Sequence, residues 1–494
     1  MNLADTIEIN ARRKPHHPAI IERTGEVISY REYGDLVALW ASAFKKMSLT
    51  PGDIIGLNLK DTVEHLIALY AIARCGAVIL PMDWRWTAIE KQRIVNFFGA
   101  KAVLSEPDDL FLSEPGSWKN IIVDQNWKEG IQELEPLKNA PRSADKGLLL
   151  ALSSGTTGTP KGPLITHEQF LARFLIYLIT IGFSERDRYL CATPLYFGGC
   201  RGYAMCTLYA GGTVLLHPPP YKPEALLTYA NHFCATRLFL VPTLLRRLLM
   251  LEGGSKEAPL FETLELLFST GAVLHAEERE ELMRRFSPKY LNFYGSTDGG
   301  GCSALLWDDP KEVAASVGRP VFGATLEIVD DNDKPLKIGE VGRIRYHHPG
   351  TANGYFNDAS GSKTAFRDGW YFPGDLGWIN DEGFLFLAGR ESDMIIRGGI
   401  NIYPAEIEYV LSLHKEIFEA SVVAWPSKEF GEEIAAFAVL KKSSQVTSEQ
   451  LIEYCRKQMA PYKIPREIFL IDNLPKSGVG KVLKKELVNR LPRP

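Results

Sequence analysis

Between residues 153 and 162 the chain reads Ser-Ser-Gly-Thr-Thr-Gly-Thr-Pro-Lys-Gly. Few segments restrict a surrounding fold as strongly. The apolar residues Leu148 to Leu152 lead into it, and a short apolar run bounded by turn residues reads as a buried strand. The segment carries three glycines, five hydroxyl side chains and Lys161. Glycine lets several backbone N–H groups converge on one anion. The hydroxyls add donors, and the lysine adds a mobile charge. Such a loop suits a polyphosphate. It is not a Walker A loop, because Pro160 precedes the lysine and Gly162 follows it. A Ser/Gly-rich flexible linker is the alternative, but a linker is not expected between a buried strand and another ordered element. After the loop, Thr166-His167-Glu168-Gln169 has the form of a capping box. It opens an apolar helix running to about Phe183.

A chain of 494 residues is too long for one hydrophobic core and predicts at least two domains. Through the first ~390 residues, helical and strand-like patterns alternate, which predicts layered α/β architecture. Val63 to Arg74 reads as an amphipathic helix before the strand Ala77 to Pro81. Ile89 to Phe98 reads as a helix before the strand Ala102 to Leu104. Strands are also expected at Thr213–Leu216, Leu238–Val241 and Leu264–Phe268. From about Gly323 the pattern shifts to short strands with tight turns, predicting a small β-rich subdomain. Gly389 to Glu408 reads as a joint, with a helix from Pro404 to Leu413 beyond it. The domain cut is placed near Ser392, giving residues 1–391 and a small α+β lid of residues 392–494.

The 56 basic and 60 acidic residues leave a net charge of −4, which makes no electrostatic case for nucleic acid. The seven cysteines form no C-x-x-C pair. An odd count without such pairs argues against a disulfide framework or structural zinc and fits a reducing compartment. Met1 to Asp5 shows no secretory pattern. The apolar stretch Phe174 to Phe183 is far short of the ~20 residues a membrane span needs. The expected location is cytoplasmic.

The 153–162 loop resembles the phosphate-binding signature of the adenylate-forming enzymes: acyl- and aryl-CoA synthetases, peptide-synthetase adenylation domains and luciferases. Further motifs extend the resemblance from about Leu3 to Leu487, and it is nearest to acyl-CoA synthetases. It implies that Ser153, Ser154, Gly155, Thr157, Gly158 and Lys161 hold ATP, with Thr156 in a catalytic role. It places Gly271, Ala272 and Val273 along the adenine pocket. Asn292, Phe293, Tyr294, Gly295, Ser296 and Thr297 also fall to the nucleotide, with the Tyr294 ring offering a flat apolar face to the base. Asp298 is implied as the ligand to Mg2+, which prefers a carboxylate oxygen plus substrate phosphates. The family usually carries Glu there, one methylene longer.

The same resemblance assigns Asp375 to the ribose hydroxyls, since a carboxylate can accept two hydrogen bonds from a cis-diol. The family often has Thr where this chain has Pro373. Arg390 matches the arginine that reaches the ribose and phosphates. Ser392 matches the hinge, where Asp or Lys is usual and where a small residue can absorb a backbone change. Gly398 and Gly399 match glycines lining a pantetheine tunnel; a simple turn between two strands is their alternative. Lys481, in the loop Leu474 to Val482, matches the catalytic lysine. A positioned ammonium would stabilise charge gathering on the phosphoryl oxygens as a carboxylate attacks ATP.

For the acyl pocket the resemblance points to Tyr196, Phe197, Gly198, Gly199, Val241, Gly299 and Gly300. The glycines after Asp298 either leave room for a long substrate or form a flexible turn. Arg201 either meets a second carboxylate or is structural. The implied activity is that of an ATP-dependent acid–CoA ligase using ATP, Mg2+ and coenzyme A on a mainly apolar aromatic or medium-chain acid. A stand-alone enzyme loading a carrier protein and a non-catalytic nucleotide-binding homologue are the alternatives. A luciferase-like oxidase would share the motifs. A homodimer is left open.

Overall fold

The computed structural model describes residues 1–109, 118–141, 145–152, 160–271, 274, 276–427, 429–441, 444–476 and 482–492. Of the residues singled out above, Ser153, Ser154, Gly155, Thr156, Thr157, Gly158, Ala272, Val273 and Lys481 lie outside them. The chain is mixed α/β and divides into two compact units. The first comprises Met1–Ala314, Pro320–Thr325 and Tyr346–Tyr371; the second comprises Ala315–Arg319, Leu326–Arg345 and Phe372–Pro494. Ser392 therefore lies inside the second unit. The strand before it, Leu385–Arg390, is zipped antiparallel to Asp375–Ile379, and this pairing keeps the two stretches in one body.

In the first unit a six-stranded sheet runs in the order Lys119–Ile122, Ala102–Ser105, Ile54–Asn58, Val78–Pro81, Gly147–Leu150 and Leu164–Thr166. All neighbours are parallel except the last pair. Its inner strands, Ala102–Ser105, Ile54–Asn58, Val78–Pro81 and Gly147–Leu150, are short and buried on both faces, as a parallel sheet covered on both sides requires. A second sheet runs through Gly300–Leu305, Tyr290–Ser296, Leu266–Ser269, Arg237–Phe239, Arg188–Cys191, Thr213–Leu216, Pro18–Ile21 and Val27–Ser29. One hydrophobic core draws on both sheets, with Ile55, Leu57, Ile79 and Leu148 from one and Phe239, Phe268 and Leu291 from the other.

The helix Val63–Arg74 keeps its expected bounds but is buried on nearly every face, Glu64 excepted. It is a core helix rather than an amphipathic one. The helix after the phosphate loop begins as expected. Thr166 forms the capping box with Gln169, the α-helix His167–Ile176 continues as a π-turn over Tyr177–Ile181, and Gly182 ends it at φ +78°. Among the described residues no helix is long and apolar enough to cross a membrane. All seven cysteines are free thiols.

The second unit holds a five-stranded sheet in which Gly431–Leu440 pairs with Ile395–Arg397, Ile417–Ser427 and Glu467–Leu470, and Ile400–Ile402 closes one edge. The helices Pro404–Ser412 and Ser448–Gln458 supply Ile407, Leu411, Leu451 and Cys455 to its core.

Candidate active site

The strands Arg188–Cys191, Arg237–Phe239, Leu266–Ser269 and Tyr290–Ser296 are consecutive neighbours and all parallel. Their carboxyl ends therefore share one edge of the sheet. Each leads into residues expected to be functional: Tyr196–Gly199 after the first, Val241 after the second, Gly271 after the third, and Thr297–Asp298 after the fourth. Ligands of open α/β sheets bind outside the carboxyl ends of strands. Four segments spread over about a hundred residues of sequence are thus gathered where a ligand belongs. Gly271 is exposed at φ +94°, and a Cβ there would meet nothing within 4 Å.

Asp298 sits at the tip of a tight hairpin. Ser296 and Gly300 are register partners, so Thr297, Asp298 and Gly299 form the loop. Within the hairpin, Asn292 and Phe293 are buried and Tyr294, Gly295, Ser296 and Thr297 are half-buried. Gly299 N donates to Ser296 Oγ at 2.8 Å. The main chain of the tip is clamped by a buried arginine. Arg173 Nη1 and Nη2 donate to the carbonyls of Thr297 and Asp298, and Nε donates to Gly350 O, each at 2.9 Å. The Asp298 carboxylate is itself buried. Its Oδ2 accepts from the Tyr355 hydroxyl at 2.9 Å, while Oδ1 is buried without a hydrogen-bond partner. Burial raises the carboxyl pKa; the Tyr355 hydrogen bond, the charges of Arg173 and Lys161, and a hydrogen bond from Tyr371 pull the other way. A buried carboxylate oxygen lacking a donor is costly unless a cation meets it. That orphan oxygen fits Mg2+, which needs only one or two protein carboxylates beside phosphates.

Lys161 stands over the Tyr355 ring. Its Nζ lies 4.9 Å from the ring centroid and 3.6 Å from Asp358 Oδ2. Asp358 in turn caps the helix Ala359–Ala365, accepting from Gly361 N at 2.8 Å.

Gly299 and Gly300 have a different reason from room for substrate. Both are buried. A Cβ on Gly299 would run into the rings of Tyr346 and Tyr371. One on Gly300, at φ +81°, would lie 2.5 Å from His348 Nε2. The space next to each is filled by protein, so close packing explains both glycines, and at Gly300 the left-handed backbone adds to it.

Tyr196 is half-buried, and its hydroxyl accepts from Arg85 Nη2 at 3.0 Å; Arg85 is held by Asp83. Tyr196 is therefore a polar element of its loop, not a purely apolar wall. Phe197 stacks on Phe239 at 6.3 Å. A Cβ on Gly198 would reach Thr297 at 3.7 Å, and one on Gly199 would reach Tyr203 at 3.5 Å and Phe239 at 3.6 Å. Arg201 is buried and donates to Tyr196 O at 2.7 Å, bracing this loop from within.

In the second unit Asp375 and Arg390 form an ion pair at 2.7 Å. Gly398 and Gly399, at φ +57° and +84°, make the two-residue turn between Ile395–Arg397 and Ile400–Ile402. Positive φ at both positions is what such a hairpin turn demands. Ser392 lies in the short turn Glu391–Asp393, where its hydroxyl donates to Asp393. On either side of the segment holding Lys481, Lys476 and Val482 form an antiparallel bridge, and Leu483 N donates to Pro475 O at 2.8 Å.

Sequence reasoning missed Tyr355, Arg173, Asp358, Asp83 and Arg85. Each acts on a partner distant in sequence, or on the local main chain, and none stands in a motif that marks it.

Two family profiles match the chain: AMP-binding enzyme over residues 7–356 and AMP-binding enzyme C-terminal domain over residues 406–481. The chain is 29% identical to indoleacetate–CoA ligase of Aromatoleum aromaticum over 504 residues, covering 99% of this chain and 98% of that protein. It is 31% identical to 2-succinylbenzoate–CoA ligase of Bacillus velezensis over 484 residues, covering 97% and 96%. Its fold is similar to that of ATP-bound MatB from Rhodopseudomonas palustris, with a TM-score of 0.92 at 26% identity, covering 99% and 98% of the two chains.

Proposed function

We propose that this chain, which belongs to the AMP-binding enzymes, is an AMP-forming acid–CoA ligase acting on a mainly apolar carboxylic acid. The observation that carries the reading is the gathering of Asp298, Gly271, Val241 and the Tyr196–Gly199 loop at the carboxyl ends of four adjacent parallel strands. The names of full-length relatives support it, since both sequence relatives above are CoA ligases.

In the proposed reaction a carboxylate oxygen of the acid attacks the α-phosphorus of ATP. The bond from that phosphorus to the pyrophosphate oxygen breaks, and pyrophosphate leaves with the electron pair. The thiolate of coenzyme A then attacks the acyl carbon, and AMP leaves. Lys161 and the 153–159 segment bind the phosphates, Tyr294 faces the base, and Asp375 takes the ribose hydroxyls with Arg390 beside it. Asp298 would hold Mg2+, which when bound neutralises charge on the phosphates. Lys481 stabilises the first transition state. Ser392 serves as the hinge, so that residues 392–494 present different groups to the two half-reactions. Gly398 and Gly399, lacking side chains, leave a path for pantetheine.

The test is pyrophosphate release across a panel of carboxylic acids, with and without coenzyme A, followed by detection of acyl-CoA and AMP. Acid-dependent pyrophosphate release and a thioester that appears only with coenzyme A support the reading. Release that needs a carrier protein, with coenzyme A inert, overturns the acceptor. No acid-dependent release overturns the activity.

A further inference from the structure

We propose that Tyr355 is a positioning residue for the metal-binding acid: its phenol orients Asp298 and ties that acid to the lysine at the base of the phosphate loop. The proposal rests on the reading of Asp298 as the residue that holds Mg2+.

A carboxylate at the tip of a three-residue loop needs two restraints, one on its main chain and one on its side chain. Arg173 supplies the first by gripping two successive carbonyls, those of Thr297 and Asp298. Tyr355 supplies the second through a hydrogen bond to Oδ2, with Tyr371 as a further side-chain hydrogen-bond partner of the same carboxyl. The choice of donor matters. A lysine or arginine at this place would pair with the carboxylate and cancel the charge a cation needs. A phenol fixes one oxygen, leaves the charge in place and leaves Oδ1 without a donor. Outer partners of this kind set the orientation and affinity of metal ligands.

Tyr355 is in turn placed by the chain that leaves the phosphate loop. It bridges Pro163 in antiparallel fashion, and the next residue, Phe356, donates its N–H to Gly162 O at 2.9 Å. Tyr355 N donates to Ser362 Oγ at 2.8 Å, and its ring meets Phe366 edge-on at 5.2 Å. The ring face carries Lys161 at 4.9 Å, a cation–π distance. One side chain thus touches both the phosphate-loop lysine and the metal acid, which are 137 residues apart in sequence, as 298 − 161 gives. The spacing between the groups that meet the phosphates and the group that meets the metal is set through Tyr355.

The experiment uses the full chain and measures ATP affinity by titration calorimetry in Mg2+ and in EDTA. The gain in affinity that Mg2+ confers is the readout. Tyr355→Phe keeps the ring and removes only the hydroxyl. It is expected to cut the Mg2+-dependent gain about tenfold, with affinity in EDTA and the melting temperature unchanged. In an Asp298→Asn background the same substitution should have no further effect. If Asp298→Asn abolishes the gain while Tyr355→Phe keeps it, the positioning role is overturned and the reading of Asp298 stands. If Asp298→Asn keeps the full gain, both fall. A Tyr355→Phe protein that loses EDTA affinity and thermal stability together overturns the proposal in favour of a structural role.

Discussion

Asp375 and Arg390 face each other as register partners on adjacent antiparallel strands, with Asp375 Oδ1 2.7 Å from Arg390 Nε. Arg390 Nη1 also donates to Pro373 O at 2.8 Å, so the guanidinium is fixed to the turn that leads into Asp375. A carboxylate held this way is oriented before any diol arrives. Asp375→Ala should weaken AMP binding roughly ten- to a hundredfold, the scale of a hydrogen bond to a charged group, about 1.5–3 kcal/mol. Arg390→Met should also weaken it, and the double variant should lose less than the sum, because the two act as one unit. Calorimetric titration with AMP measures this. Strict additivity would show that the pair is not coupled in binding.

Lys481→Ala should reduce acyl-adenylate formation by a factor of about a hundred or more, comparable to removing one oxyanion donor. The same variant, given preformed acyl-adenylate and coenzyme A, should still make thioester. Pyrophosphate release and thioester formation are assayed separately. Undiminished pyrophosphate release would remove Lys481 from the first half-reaction.

Gly300→Ala should destabilise the first unit. The residue sits at φ +81°, where an L side chain costs roughly 1–2 kcal/mol. Its new methyl must also displace His348 Nε2 from 2.5 Å, and such overpacking costs typically about 1–3 kcal/mol. A second substitution, His348→Ala, should recover the clash but not the backbone strain. Thermal unfolding of the single and double variants tests this. A stable Gly300→Ala protein with a shortened substrate preference would restore the reading of Gly300 as pocket lining.

Acidification should weaken the first unit. Burial lowers His65, His167, His217 and His348 to about 4, from an ordinary value of 6.5. Each is held neutral in the fold, so its contribution is full above pH 6.5 and is lost as pH falls through the folded value. Per proton the slope is about 1.4 kcal/mol per pH unit. Two buried carboxyls act in the opposite sense: Asp61 is raised to about 6 and Asp298 is also raised, both chiefly by burial. Four histidines against two carboxyls leave a net loss between pH 6.5 and 4. The onset of thermal unfolding should therefore come earlier at pH 5 than at pH 7.5. An onset unchanged or later at pH 5 would contradict these burial effects.

Local signals made much of this chain readable. The strand before the phosphate loop, the capping box at Thr166 and the helix Val63–Arg74 all follow from patterns within a few residues. Long-range pairings carry no such mark. Tyr355 meets Asp298 across 57 residues and Arg173 meets it across 125, and neither tyrosine nor arginine announces a buried partner. Glycines are ambiguous for a different reason. A missing side chain leaves space either for a ligand or for a neighbour, and at Gly299 and Gly300 the neighbours Tyr346, Tyr371 and His348 occupy it. The pair Gly398–Gly399 shows the same ambiguity, since the hairpin turn alone requires positive φ at both.

The acid itself gives the last prediction. Phe197 and Val241, partly buried and packed against the core that holds Phe239 and Tyr203, offer apolar and aromatic surface beside the loop Tyr196–Gly199. Gly198 and Gly199 keep their own side of it free of branches. A substrate tail buried there gains about 0.8 kcal/mol per methylene, which is about fourfold in kcat/KM for each. Specificity should therefore rise from acetate through butyrate to hexanoate until the surface is covered, and benzoate should outperform acetate. Phe197→Ala should flatten that slope by removing the ring that stacks on Phe239, while leaving the KM for ATP near its original value. Steady-state pyrophosphate release across the acid series reads both effects. Acetate preferred over hexanoate and benzoate, or a slope unchanged in Phe197→Ala, would place the acyl tail somewhere other than this carboxyl edge of the sheet.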